Sequence, residues 1–169
     1  MLDEGLVPNL PGLRDVHNVS VELDRIRAVA SPLLVAARNL GPAGAAAFKP
    51  REDDFARVFD ATILDAAVAH YAALWKHPTE ITANPDQSEL LVRAARSEDL
   101  QDTNTFPGGY KQIARHLVPG RIWLAWKFVR PPVTVGMAYD GLVWLGDHFA
   151  WFPKPWRLLS TSIDPFYVD

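Results

Sequence analysis

The 169-residue chain contains no cysteine. A disulfide scaffold, a thiol nucleophile and a zinc site built on thiolates are therefore excluded. Long hydrophobic runs are also missing, because proline, glycine or charge interrupts every apolar stretch before the roughly 20 residues that a membrane span requires. The start, Met1-Leu-Asp-Glu-Gly5, has no basic segment ahead of an apolar run, so a secretory signal is not expected. No dense Lys/Arg run accompanies a recognised nucleic-acid module, and nucleic acid is not an expected partner. Nucleophile elbow, phosphate-cradling loop, dinucleotide fingerprint and His-Glu-x-x-His are all absent. These absences lead to the expectation of a soluble, cytoplasmic protein with no familiar enzyme signature, and no cofactor or metal is expected.

What remains is ample for one folded domain. Hydrophobic residues make up 49% of the chain with both charge signs mixed in, which argues against disorder, and two domains of this length would each bury little surface. Charge is unevenly placed: residues 1–105 carry 10 Lys/Arg against 16 Asp/Glu, whereas residues 106–169 carry 7 against 4. An acidic first part and a mildly basic second part can steer partners of opposite sign.

Arg121 to Arg157 is the most legible stretch. Arg121-Ile-Trp-Leu-Ala-Trp-Lys-Phe-Val-Arg130 reads as one strand stopped by Pro131-Pro132, and Val133 to Tyr139 resumes the extended pattern. Leu142–Leu145, Gly146-Asp147 and His148–Trp151 then read as a hairpin, with the positive φ of a type II′ turn at Gly146. That register pairs Leu145 with His148, Trp144 with Phe149 and Leu142 with Trp151. Five of the six tryptophans lie between Trp123 and Trp156, and strand alternation prevents Trp123 and Trp126 from facing one way.

Ahead of the sheet the pattern is mainly helical. Ile26, Ala30, Leu34 and Ala37 form a stripe that Ser31 and Pro32, as N-cap and first helical residue, are expected to split, with an end near Gly41. Pro42 to Pro50 reads as a loop. A long helix is expected over about Asp53 to Lys76, closed by Pro78, with Phe55, Phe59, Ile63, Ala67 and His70 on its apolar face. Asn84-Pro85-Asp86-Gln87 reads as a helix start by capping box, followed by Leu90, Leu91, Ala94 and Ala95, and Tyr110 to Leu117 as one more short helix. The expected architecture is thus a single α+β domain over 1–169. It comprises an irregular arm over 1–15, a mainly helical part over 16–118, an antiparallel sheet of about three to five strands over 119–159, and a tail over 160–169. The helices pack on the sheet.

Few residues point to chemistry. His70 and His77 share a helix face but lie about 10.5 Å apart at ~1.5 Å per residue, too far to share one metal ion. His148 with Asp140 or Asp147 is the best acid/base candidate, although either carboxylate also suits a bend. Phe106-Pro-Gly-Gly-Tyr-Lys111 is the most suggestive loop: Gly108 and Gly109 precede a helix and leave amides open to a ligand, while Lys111 and Arg115 add positive charge. A glycine loop that only lets the chain enter a helix is the plain alternative.

This loop, with the acidic, cysteine-free chain and its aromatic C-terminal sheet, resembles actinobacterial immunity proteins that neutralise NAD-glycohydrolase toxins of the tuberculosis necrotizing toxin type. The resemblance covers the C-terminal third. It implies a protein without catalysis that binds a secreted toxin and obstructs its NAD cleft, with Gly108, Gly109, Tyr110 and Lys111 entering that cleft. Phe106, Arg115, Trp156 and Arg157 complete the expected partner-binding set, Trp156 and Arg157 being the best surface anchors. Gly109→Trp or Lys111→Glu is expected to weaken such binding at an unchanged melting temperature. The alternative is an NTF2-like small-molecule binding or enzymatic domain, with Tyr139, Asp140, Trp144 and His148 lining a pocket between the long helix and the sheet.

Overall fold

In the computed structural model of the chain, the described residues are 13–161. Residues 1–12 of the expected arm and 162–169 of the expected tail lie outside them, and Leu13 already opens the first helix. Helix α1 spans Leu13–Asn39 and buries Ile26, Ala30, Leu34 and Ala37. The expected break at Ser31-Pro32 does not occur. Ser31 Oγ donates to the Arg27 carbonyl at 2.7 Å instead of capping. Pro32 lies on the exposed side, where the bond it cannot donate leaves the exposed Ala28's carbonyl open to water, while buried residues on both sides hold the helix together. The helix ends as expected before Gly41, whose φ is +63°. Gly41–Phe48 is a 3₁₀ helix rather than a loop, and it folds back under α1.

The long helix expected from Asp53 is two helices, α2 Asp54–Val58 and α3 Leu64–Leu74. Asp60 ends the first: its carboxylate accepts from the Thr62 amide at 3.0 Å and from the Thr62 hydroxyl. Phe59 is extended and bridges to Leu117. Phe55, Phe59, Ile63, Ala67 and Tyr71 nevertheless enter one core at spacings of four, so the sequence periodicity runs straight through the break.

The segment after Asn84 is a second correction. Gln87 Oε1 accepts from the Asn84 amide at 2.8 Å, so the reciprocal bond of a capping box is made, yet the chain leaves it as strand β1, Glu89–Arg96. The ladder to strand β2, Ile122–Val129, pairs all eight residues and overrides the helical spacing. Leu90, Val92 and Ala94 pack toward α1, and Ala95 packs on the opposite face.

Strands β3, Gly136–Trp144, and β4, Phe149–Trp151, complete an antiparallel meander of order β1-β2-β3-β4. The hairpin register is as expected: Leu142 pairs with Trp151, Trp144 with Phe149, and the Leu145 amide donates to the His148 carbonyl at 2.9 Å. α1 covers one face of the sheet, over Trp126, Trp144 and Trp151. α2, α3, the short α4 (Tyr110–Ile113) and α5 (Arg157–Thr161) lie on the other, around Trp123. Both faces are thus covered from within the chain, except one half of the second.

A bulge decides what that half displays. Ala125 pairs with Asp140 and Leu124 with Leu142, leaving Gly141 as the extra residue at φ +91°. Its carbonyl accepts from the Phe152 amide at 2.7 Å, and a Cβ there would sit 2.2 Å from the Phe152 carbonyl oxygen. Gly141→Ala is therefore expected to lower unfolding free energy by roughly 2–4 kcal/mol through backbone strain and steric overlap. Chemical denaturation checks this against Gly146→Ala at the open hairpin turn, where nothing lies within 4 Å of an added Cβ and the smaller loss is expected.

Candidate functional site

The suggestive loop is held in place by its aromatic residues. Tyr110 is fully buried, edge-on to Phe106, Trp123 and Trp156, and its hydroxyl donates to Asp140 Oδ1 at 2.8 Å. Phe106 is also buried. A Cβ on Gly109 would lie 2.3 Å from Trp156 Cγ, so this glycine serves close packing and Gly109→Trp cannot leave the fold undisturbed. Of the expected partner-binding residues, Phe106, Gly109, Tyr110 and Trp156 therefore belong to the scaffold. The reason is physical: large rings beside a sheet gain more by burial than by waiting at the surface. Gly108 remains exposed with nothing within 4 Å of an added Cβ, and Lys111 is exposed with Nζ 3.0 Å from Asn104 Oδ1. Arg115 donates to His116 Nε2, which sits beside Asp60, so it belongs to a different surface chain of contacts. Arg157 is exposed at the start of α5.

Asp140 is the polar centre of this region. Oδ1 also accepts the Lys154 amide at 2.9 Å, and its own carbonyl accepts Trp151 Nε1 at 2.7 Å. Lys154 has φ +51°, a left-handed conformation unusual for lysine. Burial raises the Asp140 pKa above the usual carboxylate value, opposed by the hydrogen bonds from Lys154 and Tyr110. Burial also pushes Tyr110 and Tyr71 well above the usual phenol range, and the Asp140 charge adds to this. The Tyr110 hydroxyl therefore stays protonated and continues to donate.

Beside Asp140 lies a cleft of about 370 Å³ on the uncovered half of the sheet. Arg93, Ala125, Lys127, Ala138 and Asp140 contribute to its floor, and Asn104, Thr105 and Pro107 form a wall. A smaller recess of about 150 Å³, reaching His70, Lys154 and Arg157, shares Ala138, Tyr139 and Asp140 with it. His70 stands edge-on to Tyr71, and burial with the nearby Arg157 charge lowers its pKa.

The four residues expected to share a pocket fall in two places. Tyr139 and Asp140 line the cleft, whereas Trp144 and His148 line a separate groove beside α1. Phe59, Tyr71 and Phe152, whose rings meet at 5.2–6.0 Å, fill part of the space between α3 and the sheet, and the smaller recess, between His70 and Leu74 of α3 and Ala138, Tyr139 and Asp140 of β3, takes up another part. His148 does meet Asp147, at 2.7 Å, but its other nitrogen lies 2.9 Å from both oxygens of the fully buried Asp54. An imidazole held between two carboxylates, one on α2 and one in the hairpin turn, ties those elements together. Asp140 is not its partner.

Arg93 and Lys127 were not legible as site residues. Arg93 was hidden by the helical reading of its segment. Lys127 carried a usable signal, since it is the one charge inside an otherwise apolar strand and shares the parity of Trp123 and Ala125. Among the described residues no group of three or more side chains could hold a metal ion, and no helix is long and apolar enough to cross a membrane. No family model, curated protein or solved structure matches the chain.

Asp140 yields a sign-definite expectation. Its folded pKa is raised, so the folded state binds the proton more tightly and the ionised carboxylate weighs against folding near neutral pH. That burden is relieved as pH falls toward and through the folded pKa. Wild type should gain stability relative to Asp140→Asn as pH drops from 7 toward 4 in denaturant titrations; a difference that is flat or of opposite slope contradicts the assignment.

Proposed function

We propose that the chain is a non-enzymatic binding protein that docks a protein partner on the cleft face, as a cytoplasmic immunity factor does when it occludes a toxin's active-site cleft. The observation that carries this reading is the rim. Gly108 and Lys111 stand exposed at the head of a loop whose other members, Phe106, Gly109, Tyr110 and Trp156, are fixed in the scaffold. A contact loop ordered before binding loses little entropy on association. Exposed Gly108 allows close backbone approach, and Lys111 brings charge to the same edge. Beside the rim, the open cleft offers a concave surface into which a partner side chain fits. The resemblance noted from the sequence names the partner class: a secreted NAD-glycohydrolase toxin.

One observation favours a second reading, a small-molecule binding domain. The cleft volume lies in the range usual for ligand sites, and the carboxylate at its edge keeps one oxygen, Oδ2, without a hydrogen bond among the described residues.

The test titrates an NAD-glycohydrolase toxin domain of that class calorimetrically into the full chain. Gly108→Trp and Lys111→Glu are each expected to weaken binding by about tenfold or more, with melting temperatures within about 2 °C of wild type. Unchanged affinity in both variants, or no binding by wild type, overturns the proposal.

A further inference from the structure

We propose that the cleft floor is an oxyanion site: Arg93 and Lys127 receive a carboxylate or phosphate, and the free oxygen of Asp140 receives a hydrogen-bond donor carried by the same ligand. This concerns the cleft described above and does not depend on the partner being a protein.

The strand register brings these groups together. Arg93 pairs across β2 with Ala125, which pairs in turn with Asp140, and Leu91, Lys127 and Ala138 form the adjacent row. Lys127 is therefore a diagonal neighbour of both Arg93 and Asp140, at about 7–8 Å between backbones. Alanine at 125 and 138 keeps the floor low between the longer side chains. A sheet normally places opposite charges directly across from one another, but here alanine or leucine stands opposite each cation. Neither Arg93 nor Lys127 has an ion pair or hydrogen bond among the described residues. Arg93 and Lys127 line one concave surface whose carboxylate, Asp140, stands beside them with Oδ1 already engaged, so the positive potential lies between the two cations, and the arginine fork matches an oxyanion with two parallel bonds. A third cation, Lys111, reaches the wall through Asn104.

Asp140 adds selectivity. Oδ1 is occupied by the Tyr110 hydroxyl and the Lys154 amide, and this fixes the carboxylate with Oδ2 left over. A ligand with a hydroxyl or amide donor near its anionic group satisfies that oxygen, and a bare anion does not. The shared chemistry is an oxyanion next to a donor, carried either by a free small molecule or by an acidic side chain of a docked protein.

The experiment is a nitrogen-15 amide titration of the full chain at fixed ionic strength, with sodium chloride as control. The probes are inorganic sulfate, which carries no donor, glycerol 3-phosphate and a blocked Gly-Asp-Gly peptide. Saturable shifts at Arg93, Ala125 and Lys127 are expected with glycerol 3-phosphate or the peptide, whichever binds tighter indicating the free or the protein-borne source. Arg93→Gln/Lys127→Gln should weaken binding about tenfold or more. Asp140→Asn replaces the free acceptor by a donor and removes the negative charge beside the two cations; it should weaken glycerol 3-phosphate relative to sulfate, which should bind as tightly as to wild type or more tightly. Shifts that fail to saturate for every probe, or that match sodium chloride, overturn the site, as does unchanged affinity in the double variant. Such failure with toxin binding intact would leave the docking proposal standing; probe binding without toxin binding would do the reverse.

Discussion

One buried carboxylate ties together three parts of the chain that local sequence could not have joined. Asp140 accepts from the Tyr110 hydroxyl at the head of α4 and from the Lys154 amide in the segment after β4. Its carbonyl takes the indole N–H of Trp151. An unpaired carboxylate at this depth would be destabilising by several kcal/mol, so each donor is needed. The bulge at Gly141 makes the arrangement possible: the extra residue lets β3 place Asp140 beside Ala125 on the Trp123 face, at the edge of its uncovered half, while Leu142 keeps its hairpin register with Trp151. Lys154 adopts its left-handed conformation where its amide meets Asp140, so backbone strain and carboxylate satisfaction are part of one device.

The cleft follows from this knot. Tyr110 holds the loop 104–109 as a wall, Trp156 closes on Gly109 behind it, and the half of the sheet beyond Asp140 is left without a helix above it. On the opposite face α1 lies along β1 and β2 and the 3₁₀ segment reaches β4, and the groove there opens beside α1 at Trp144 and His148. On the far side of the same core, His148 bridges buried Asp54 and the hairpin turn. His148 with Asp147 read as an acid/base candidate in the sequence, and with Asp54 the two form a clasp in the structure.

What the sequence disclosed follows from the range of the forces involved. The hairpin register was legible because a glycine turn and strand alternation act over a few residues, and the stripe of α1 because burial repeats every turn. The strand Glu89–Arg96 was hidden because its partner lies some thirty residues away, and a capping-type bond at Asn84 and Gln87 forms whether or not a helix follows. The break at Asp60 was hidden by a four-residue spacing that survives the turn. The site was partly legible: Asp140, Tyr110, Gly108 and Lys111 stood out by residue type. Nothing local joined Asp140 to Tyr110 across thirty positions, and Arg93 became part of the floor only once its segment was a strand.

Amide hydrogen exchange in Tyr110→Phe tests the central claim most directly, because that change removes one oxygen and leaves the ring in its packing. The account predicts that amides in residues 104–115 and 152–157 exchange about tenfold faster, the factor expected from losing one buried hydrogen bond of about 1–1.5 kcal/mol, while the hairpin amides of 142–151 keep their protection. Unchanged exchange in the loop and the 152–157 segment, or a uniform acceleration across the chain, would contradict it.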